Sequence, residues 1–246
     1  MSIFLFCGDF YIMSEKNTVC CSLEKKFYVK GIDTKVVFEQ RFCTIVRTII
    51  SKNRTKSEKL MRSYVISYPS MIDYFQKYFL NDDLSFIRGT FLVYAWMPTG
   101  FRYNKGNVVD EDSIQEIKNF LRKVQNVNAE KVLDELKSDE GRVLSKIVEM
   151  MNNSVVGMSK LLHFVNPAVF PIYDSNIGDT LKFKCTVENY IDYVKGFAAF
   201  CDQVIDGKNW SCDMTPFCEN FGYPADFKIT PLRAVELTLF ASRKIG

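Results

Sequence analysis

The sequence predicts a mainly α-helical protein, and two observations carry that expectation. From Lys35 onward, apolar residues recur at three- and four-residue steps, as in KVVFEQRFCTIVRTIISK. Strand-like character is confined to the start of the chain, and Pro, Gly, Asn or Asp punctuate the periodic runs that follow. The 246 residues are 47% apolar and 25% charged, enough for one large domain or two small ones with a sizeable core.

Taken in order, residues 1–34 hold FLFCGDFYIM and KKFYVKGI. They read as two short strands or loosely docked pieces, an N-terminal segment set apart from a helical domain over 35–246. The first helix aligns Val37, Phe38, Phe42, Ile45, Val46, Ile49 and Ile50 on one face. A second starts at Ser57, with Glu58 near its positive end. Pro69 separates it from SMIDYFQKYFL, and LSFIRGTFLVYAWM stops at Pro98. The stretch around 100–108 marks a break between two helical lobes. VVDEDSIQEIKNFLRKVQNV and DEGRVLSKIVEMMNN are amphipathic helices. After the central segment discussed below comes VENYIDYVKGFAAFCDQVI, then a loop over 207–229. TPLRAVELTLFASRK closes the chain, with Thr230 as N-cap and Pro231 in the first turn. About eight to ten helices are expected.

Composition excludes several classes. The eight cysteines include no Cys-x-x-Cys pair, and the lone histidine cannot complete a His-rich zinc site. No metal or cofactor is expected. Free thiols in a reducing cytoplasm are the expected state. The opening MSIFLFCGDFYIM lacks a basic n-region, and no apolar run approaches the roughly 18 residues of a membrane span. The net charge of +3 does not by itself indicate nucleic acid. Locally, however, Arg41, Arg47, Lys52, Arg54, Lys56, Lys59 and Arg62 are opposed only by Glu58. That run is either a solvated face or a track for phosphates, whose contacts bind any sequence and weaken with salt.

The most informative stretch is GMSKLLHFVNPAVFPIYDSNIG, from Gly157 to Gly178. A helix ends near Asn153, a short Gly-containing turn follows, and a second helix begins at about Met158 and stops before Pro167. Exposed backbone N–H groups at such a helix start attract anions, with Gly157, Ser159 and Lys160 as donors. Pro171 stiffens the chain ahead of Asp174, which stands where a new helix can start. Asp174 is then either a plain N-cap or a carboxylate aimed into a cleft. Lys160 reads as a phosphate contact or a nucleophile, His163 as a core histidine or a pocket residue, and Trp96 as core or cleft wall. Arg233 and Glu236 read as an ordinary helix pair, or Arg233 braces the site.

The order helix, short Gly turn, Lys, helix, Pro-apolar-Asp, helix resembles the helix-hairpin-helix DNA glycosylases, and the 8-oxoguanine glycosylase branch most of all. The resemblance rests on Gly157-Met158-Ser159-Lys160 and on Phe170-Pro171-Ile172-Tyr173-Asp174, and it covers residues 138–180. It implies a two-lobed helical fold with a cleft between the lobes. It implies Asp174 and Lys160 as catalytic residues, with Trp96, His163 and Tyr173 around a flipped-out base. The partner implied is double-stranded DNA with a modified or damaged base, bound by a monomer without a cofactor. Modified phage DNA is one candidate substrate and antiviral defence one candidate role. The chain departs from the family pattern in carrying one hairpin glycine and in placing Tyr173 between Ile172 and the Asp. Two other classes remain: a non-catalytic helix-hairpin-helix DNA-binding module, and a helical protein-interaction subunit.

Overall fold

The computed structural model describes residues 34–51, 55–97, 110–138, 141–181, 183–204, 215–224 and 226–242. Among them are eleven helices and no strand. They are α1 (Thr34–Ile50), α2 (Lys56–Lys77), α3 (Asp83–Ala95), α4 (Glu111–Val124), α5 (Ala129–Ser138), α6 (Arg142–Met150), α7 (Val155–Val165), α8 (Ser175–Leu181), α9 (Val187–Val204), α10 (Thr215–Phe221) and α11 (Pro231–Ser242). The protein is mainly α. The N-terminal segment up to residue 33 and the expected lobe break near 100–108 lie outside the described residues. Two elements were not anticipated: α5, and α10 within the stretch expected to be a loop.

The sequence also divides at Pro69 what the structure keeps whole. α2 runs through that proline for 22 residues. A mid-helix proline removes the N–H that would serve the carbonyl four residues earlier, usually at a cost of about 3 kcal/mol. Here that carbonyl belongs to Val65, and the Tyr223 hydroxyl, from just beyond α10, donates to it. A side chain 158 positions away thus replaces the missing backbone donor. The start of α2 is fixed by a capping box: Glu58 N–H donates to Thr55 Oγ1, and Thr55 N–H donates back to the Glu58 carboxylate.

α6 and α7 form the expected hairpin, but its turn is built differently. Asn152 and Asn153 take the left-handed conformation, at φ 59° and 56°, which Asn tolerates better than most side chains. Gly157 lies inside α7, one turn past the Ser154 N-cap, and is buried against Met151. A Cβ there would meet the Met151 side chain at 3.2 Å, so the small residue permits the close approach of the turn.

Among the described residues α7 is the most deeply buried helix. It packs on α2, α3, α4 and α6, and every residue from Gly157 to Val165 is buried. An apolar, all-round sequence explains this placement. Its three polar side chains, Ser159, Lys160 and His163, are spaced to share one side of the helix. α11 packs on α1, α8 and α9 and is almost as deeply buried, and it too carries a buried ionisable pair, Arg233 and Glu236. The candidate site, a pocket lined by residues of both helices, lies between them.

Candidate active site

The segment Phe170–Asp174 leads into α8 as neither helix nor strand, without a strand partner among the described residues. Its backbone polar groups must therefore be satisfied by side chains or water, and side chains do most of it. His163 Nδ1–H donates to the Phe170 carbonyl at 2.8 Å. Tyr190 donates to Pro171 O at 3.1 Å, and Tyr193 to Ile172 O at 2.9 Å. Ile172 N–H donates to the Glu236 carboxylate. Tyr173 N–H donates to Ser159 Oγ at 3.0 Å, and that hydroxyl also reaches Tyr173 O at 3.2 Å. The segment becomes a rail clamped by buried hydroxyls, an imidazole and a carboxylate, and its last residue is Asp174.

Asp174 divides its two oxygens between two tasks. Oδ1 accepts from the Asn176 backbone N–H and from Asn176 Nδ2, both at 2.9 Å, in the manner of an N-cap. Oδ2 faces Lys160 Nζ at 4.0 Å. That distance is an ion pair rather than a direct hydrogen bond. The Lys160 side chain is 5% exposed and that of Asp174 is 18% exposed. Both line a pocket of about 140 Å³ whose other walls include Tyr64, Trp96, Arg233 and Phe240.

Trp96 organises the cations. Lys160 Nζ and Arg233 Cζ each stand 5.5 Å from its ring centroid, and Arg233 also lies 4.7 Å from that of Tyr68. The indole N–H donates to Ser67 Oγ at 2.9 Å, which fixes the ring. Tyr64 and Phe240, both half-buried, meet edge-on at 6.1 Å. They, rather than the buried indole, offer the more accessible aromatic surface of the pocket.

Beneath the pocket, burial governs the ionisation of the polar groups. His163 is fully buried, and its pKa falls to about 3 through desolvation first and the Arg233 charge second. The ring is therefore neutral at physiological pH. With Nδ1 donating to a carbonyl, Nε2 must accept, and it does so from the Tyr68 hydroxyl at 2.9 Å. Glu236 is also fully buried, and desolvation raises its pKa to about 8 against the opposing pull of Arg233 and the Ile172 amide. Its hydrogen-bond contacts, Ile172 N–H and Arg233 Nη1 at 3.3 Å, are both donors and oppose that rise. Burial and the Asp174 charge raise the Tyr64 phenol.

Of the residues expected at the site, the structure brings Asp174, Lys160 and Trp96 into one pocket. It corrects four others. His163 does not line the pocket but supports its floor. Tyr173 lines the rail, with its ring edge-on to Tyr193 at 5.8 Å and its hydroxyl donating to Phe183 O. Ser159 is fully buried and clamps Tyr173, so it offers no donor at the surface. The Gly157 N–H is taken by Ser154 Oγ at 3.0 Å, so it is not an open anion-binding amide.

The expected phosphate track is represented by Arg47, Lys56, Lys59 and Arg62. The first three are exposed, and Arg62 lies 5.3 Å over the Phe221 ring. Lys56 stands four and eight residues ahead of the pocket residues Leu60 and Tyr64, on the same side of α2. Lys52, Arg54 and the side chain of Arg41 lie outside the described residues. Sequence reasoning missed Tyr64, Asn176 and Phe240. Asn176 is two residues past Asp174, and an Asp-x-Asn at a helix start was the available signal for it. Tyr64 and Phe240 carry no local signal, because helix packing alone brings them to the pocket.

No protein family, curated protein or solved structure matches this chain. The site therefore has to be understood from its own chemistry. It combines a carboxylate held by a cap, an amine beside it, a fixed guanidinium and aromatic walls. A carboxylate so placed stabilises a developing cation, and an amine so placed can attack an electrophilic carbon. Among the described residues, no helix is long and apolar enough to cross a membrane.

Proposed function

We propose that this protein is a DNA glycosylase that flips a modified or damaged base into the pocket and cleaves its N-glycosidic bond, leaving an abasic site. One observation carries the reading: Asp174 and Lys160 come from different elements and meet at 4.0 Å in the wall of an aromatic pocket. Lys56 and Lys59, both exposed, precede the pocket residues Leu60 and Met61 on α2. Departure of a base builds positive charge on the sugar, and Asp174 Oδ2 is the anion that opposes it. Asp174 can equally activate the attacking water. Lys160, beside it, is the amine for a Schiff-base route. Flipping is required because the bond is inaccessible within the duplex. The cationic face of α2 would hold the backbone while the base enters. In this reading the fold is glycosylase-like, with the pocket as the cleft.

The test is direct. Duplexes that each carry one candidate base, including the modified bases of phage DNA, are incubated with the protein and then cleaved with alkali at abasic sites. Asp174→Asn lowers excision by about 10²- to 10³-fold with duplex binding retained. Borohydride traps a covalent adduct with the native chain, and not with Lys160→Gln, if the amine attacks. Absence of strand breaks on every duplex, with or without borohydride, sinks the proposal. The non-catalytic DNA-binding reading depends on open amides at the start of α7, and the capped, buried Gly157 does not supply one.

A further inference from the structure

Each cation of the pocket faces a carboxyl group before any ligand enters. Lys160 faces Asp174 at 4.0 Å, and Arg233 faces Glu236 at 3.3 Å. The carboxylate that lines the pocket, Asp174, already has its cation and would repel an anionic ligand, so a neutral one suits the site better.

Arg233 is 7% exposed, yet its guanidinium carries five N–H donors and only Nη1 reaches a protein acceptor among the described residues. The other guanidinium nitrogens are not fully buried, and Arg233 lines the pocket, so they can meet a ligand acceptor there. Stacking between Tyr68 and Trp96 fixes the plane of the guanidinium and hence the direction of that edge. Asn176 provides the complement. Its Nδ2 must be the atom that faces Asp174 Oδ1, because a carboxylate only accepts. Its own Oδ1 meets no protein donor among the described residues, and Asn176 lines the pocket. The cavity of about 140 Å³ matches the roughly 150 Å³ that holds one benzene ring in an engineered core. A fused two-ring base would protrude into the mouth.

We infer that the pocket selects a neutral single-ring base with an imide edge, two carbonyl oxygens flanking a ring N–H, as in uracil and its ring-substituted derivatives. Arg233 donates to one carbonyl oxygen, and Asn176 Oδ1 accepts from the N–H. A cytosine-type edge sets an amino donor against the guanidinium and an unprotonated ring nitrogen against the Asn176 oxygen. Two mismatches at buried polar groups discriminate more strongly than a change of size does. The inference rests on the glycosylase reading and names the substrate class of that same site.

The experiment measures single-turnover excision by the full chain on matched duplexes. These contain uracil, 5-hydroxymethyluracil, 5-hydroxymethylcytosine, 8-oxoguanine or hypoxanthine. The two hydroxymethyl bases share a substituent and differ at the edge, so their ratio isolates the proposed contacts. The uracil form is expected to be excised about 100-fold faster or more. Arg233→Gln reduces that ratio by about 10- to 100-fold. Asn176→Ser, at a half-buried position that a small side chain tolerates, reduces it about tenfold or more and serves if the Arg233 variant does not fold. Excision confined to the purine lesions, equal rates on the two hydroxymethyl bases, or an unchanged ratio in Asn176→Ser overturns the inference and leaves the glycosylase reading standing. Excision of no base in the panel overturns both.

Discussion

Ser159→Ala tests the rail that presents Asp174. The native hydroxyl has one hydrogen and two nearby carbonyls, Val156 O at 2.9 Å and Tyr173 O at 3.2 Å. It also accepts from Tyr173 N–H at 3.0 Å. Alanine removes an oxygen and leaves almost the same volume, so no cavity term enters. Val156 O keeps its helical partner, the N–H four residues on. The principal loss is the acceptor for the Tyr173 amide, and an orphaned buried donor costs about 1–3 kcal/mol. Denaturation with urea should show a loss of that size. Hydrogen exchange should localise it: the Tyr173 amide exchanges about 5- to 150-fold faster, while the Ile172 amide, held by Glu236, changes little. Excision should fall by more than the stability loss alone explains, because Asp174 is the next residue and small displacements of a reacting group are costly. If Tyr173 exchange is unchanged and stability falls by less than about 0.5 kcal/mol, the rail is not held as described here.

The Pro69 repair predicts coupling at long range. Tyr223→Phe should cost about 1–3 kcal/mol in the native background and under about 0.5 kcal/mol with Pro69→Ala, whose restored N–H serves Val65 O; equal costs in the two backgrounds refute the link. The buried groups beneath the pocket predict a pH profile of stability. His163, ordinarily 6.5 and here about 3, makes stability fall as pH drops from about 6.5 to about 3, because the unfolded chain binds the extra proton. Glu236, ordinarily 4.5 and here about 8, makes stability fall as pH rises from about 4.5 to about 8, because the folded chain binds it. The two slopes oppose each other between about 4.5 and 6.5 and give a plateau. In His163→Gln the plateau should become a continuous decline from about pH 4.5 to 8, read by urea denaturation at successive pH values. A plateau that survives this substitution refutes the assignment of its acid side to His163.

Much of this organisation is legible in the sequence. The helices are legible because their apolar spacing is local, and the N-cap of α11 at Thr230 is there to read and is observed, with Arg233 N–H donating to Thr230 Oγ1 at 3.1 Å. Lys160, Asp174 and Trp96 can be singled out from the sequence, with Trp96 left open between core and cleft wall, and the three line one pocket. What stayed hidden depends on contacts distant in sequence. Pro69 argues for a helix boundary until the Tyr223 hydroxyl is known to stand at Val65 O. Gly157 argues for the turn, whereas two asparagines make it. In the sequence Ser159 reads as an anion donor, and His163 reads as a core histidine or a pocket residue. The structure uses them to satisfy the backbone of a segment that has no sheet to join.

The two readings of Asp174, cap and catalyst, are not alternatives in this structure. A cap needs an acceptor, not a charge, and Oδ1 alone supplies it to Asn176. The second oxygen faces a lysine inside a pocket, where the capping role makes no use of it. Asparagine caps a helix about as well as aspartate. Asp174→Asn should therefore keep the cap, with any stability loss confined to the charge partner that Lys160 gives up, while removing the negative charge from the pocket. A purely structural aspartate predicts no consequence for chemistry from that exchange. A carboxylate that opposes a sugar cation predicts the loss of excision, and the comparison holds the fold constant while the charge alone is changed.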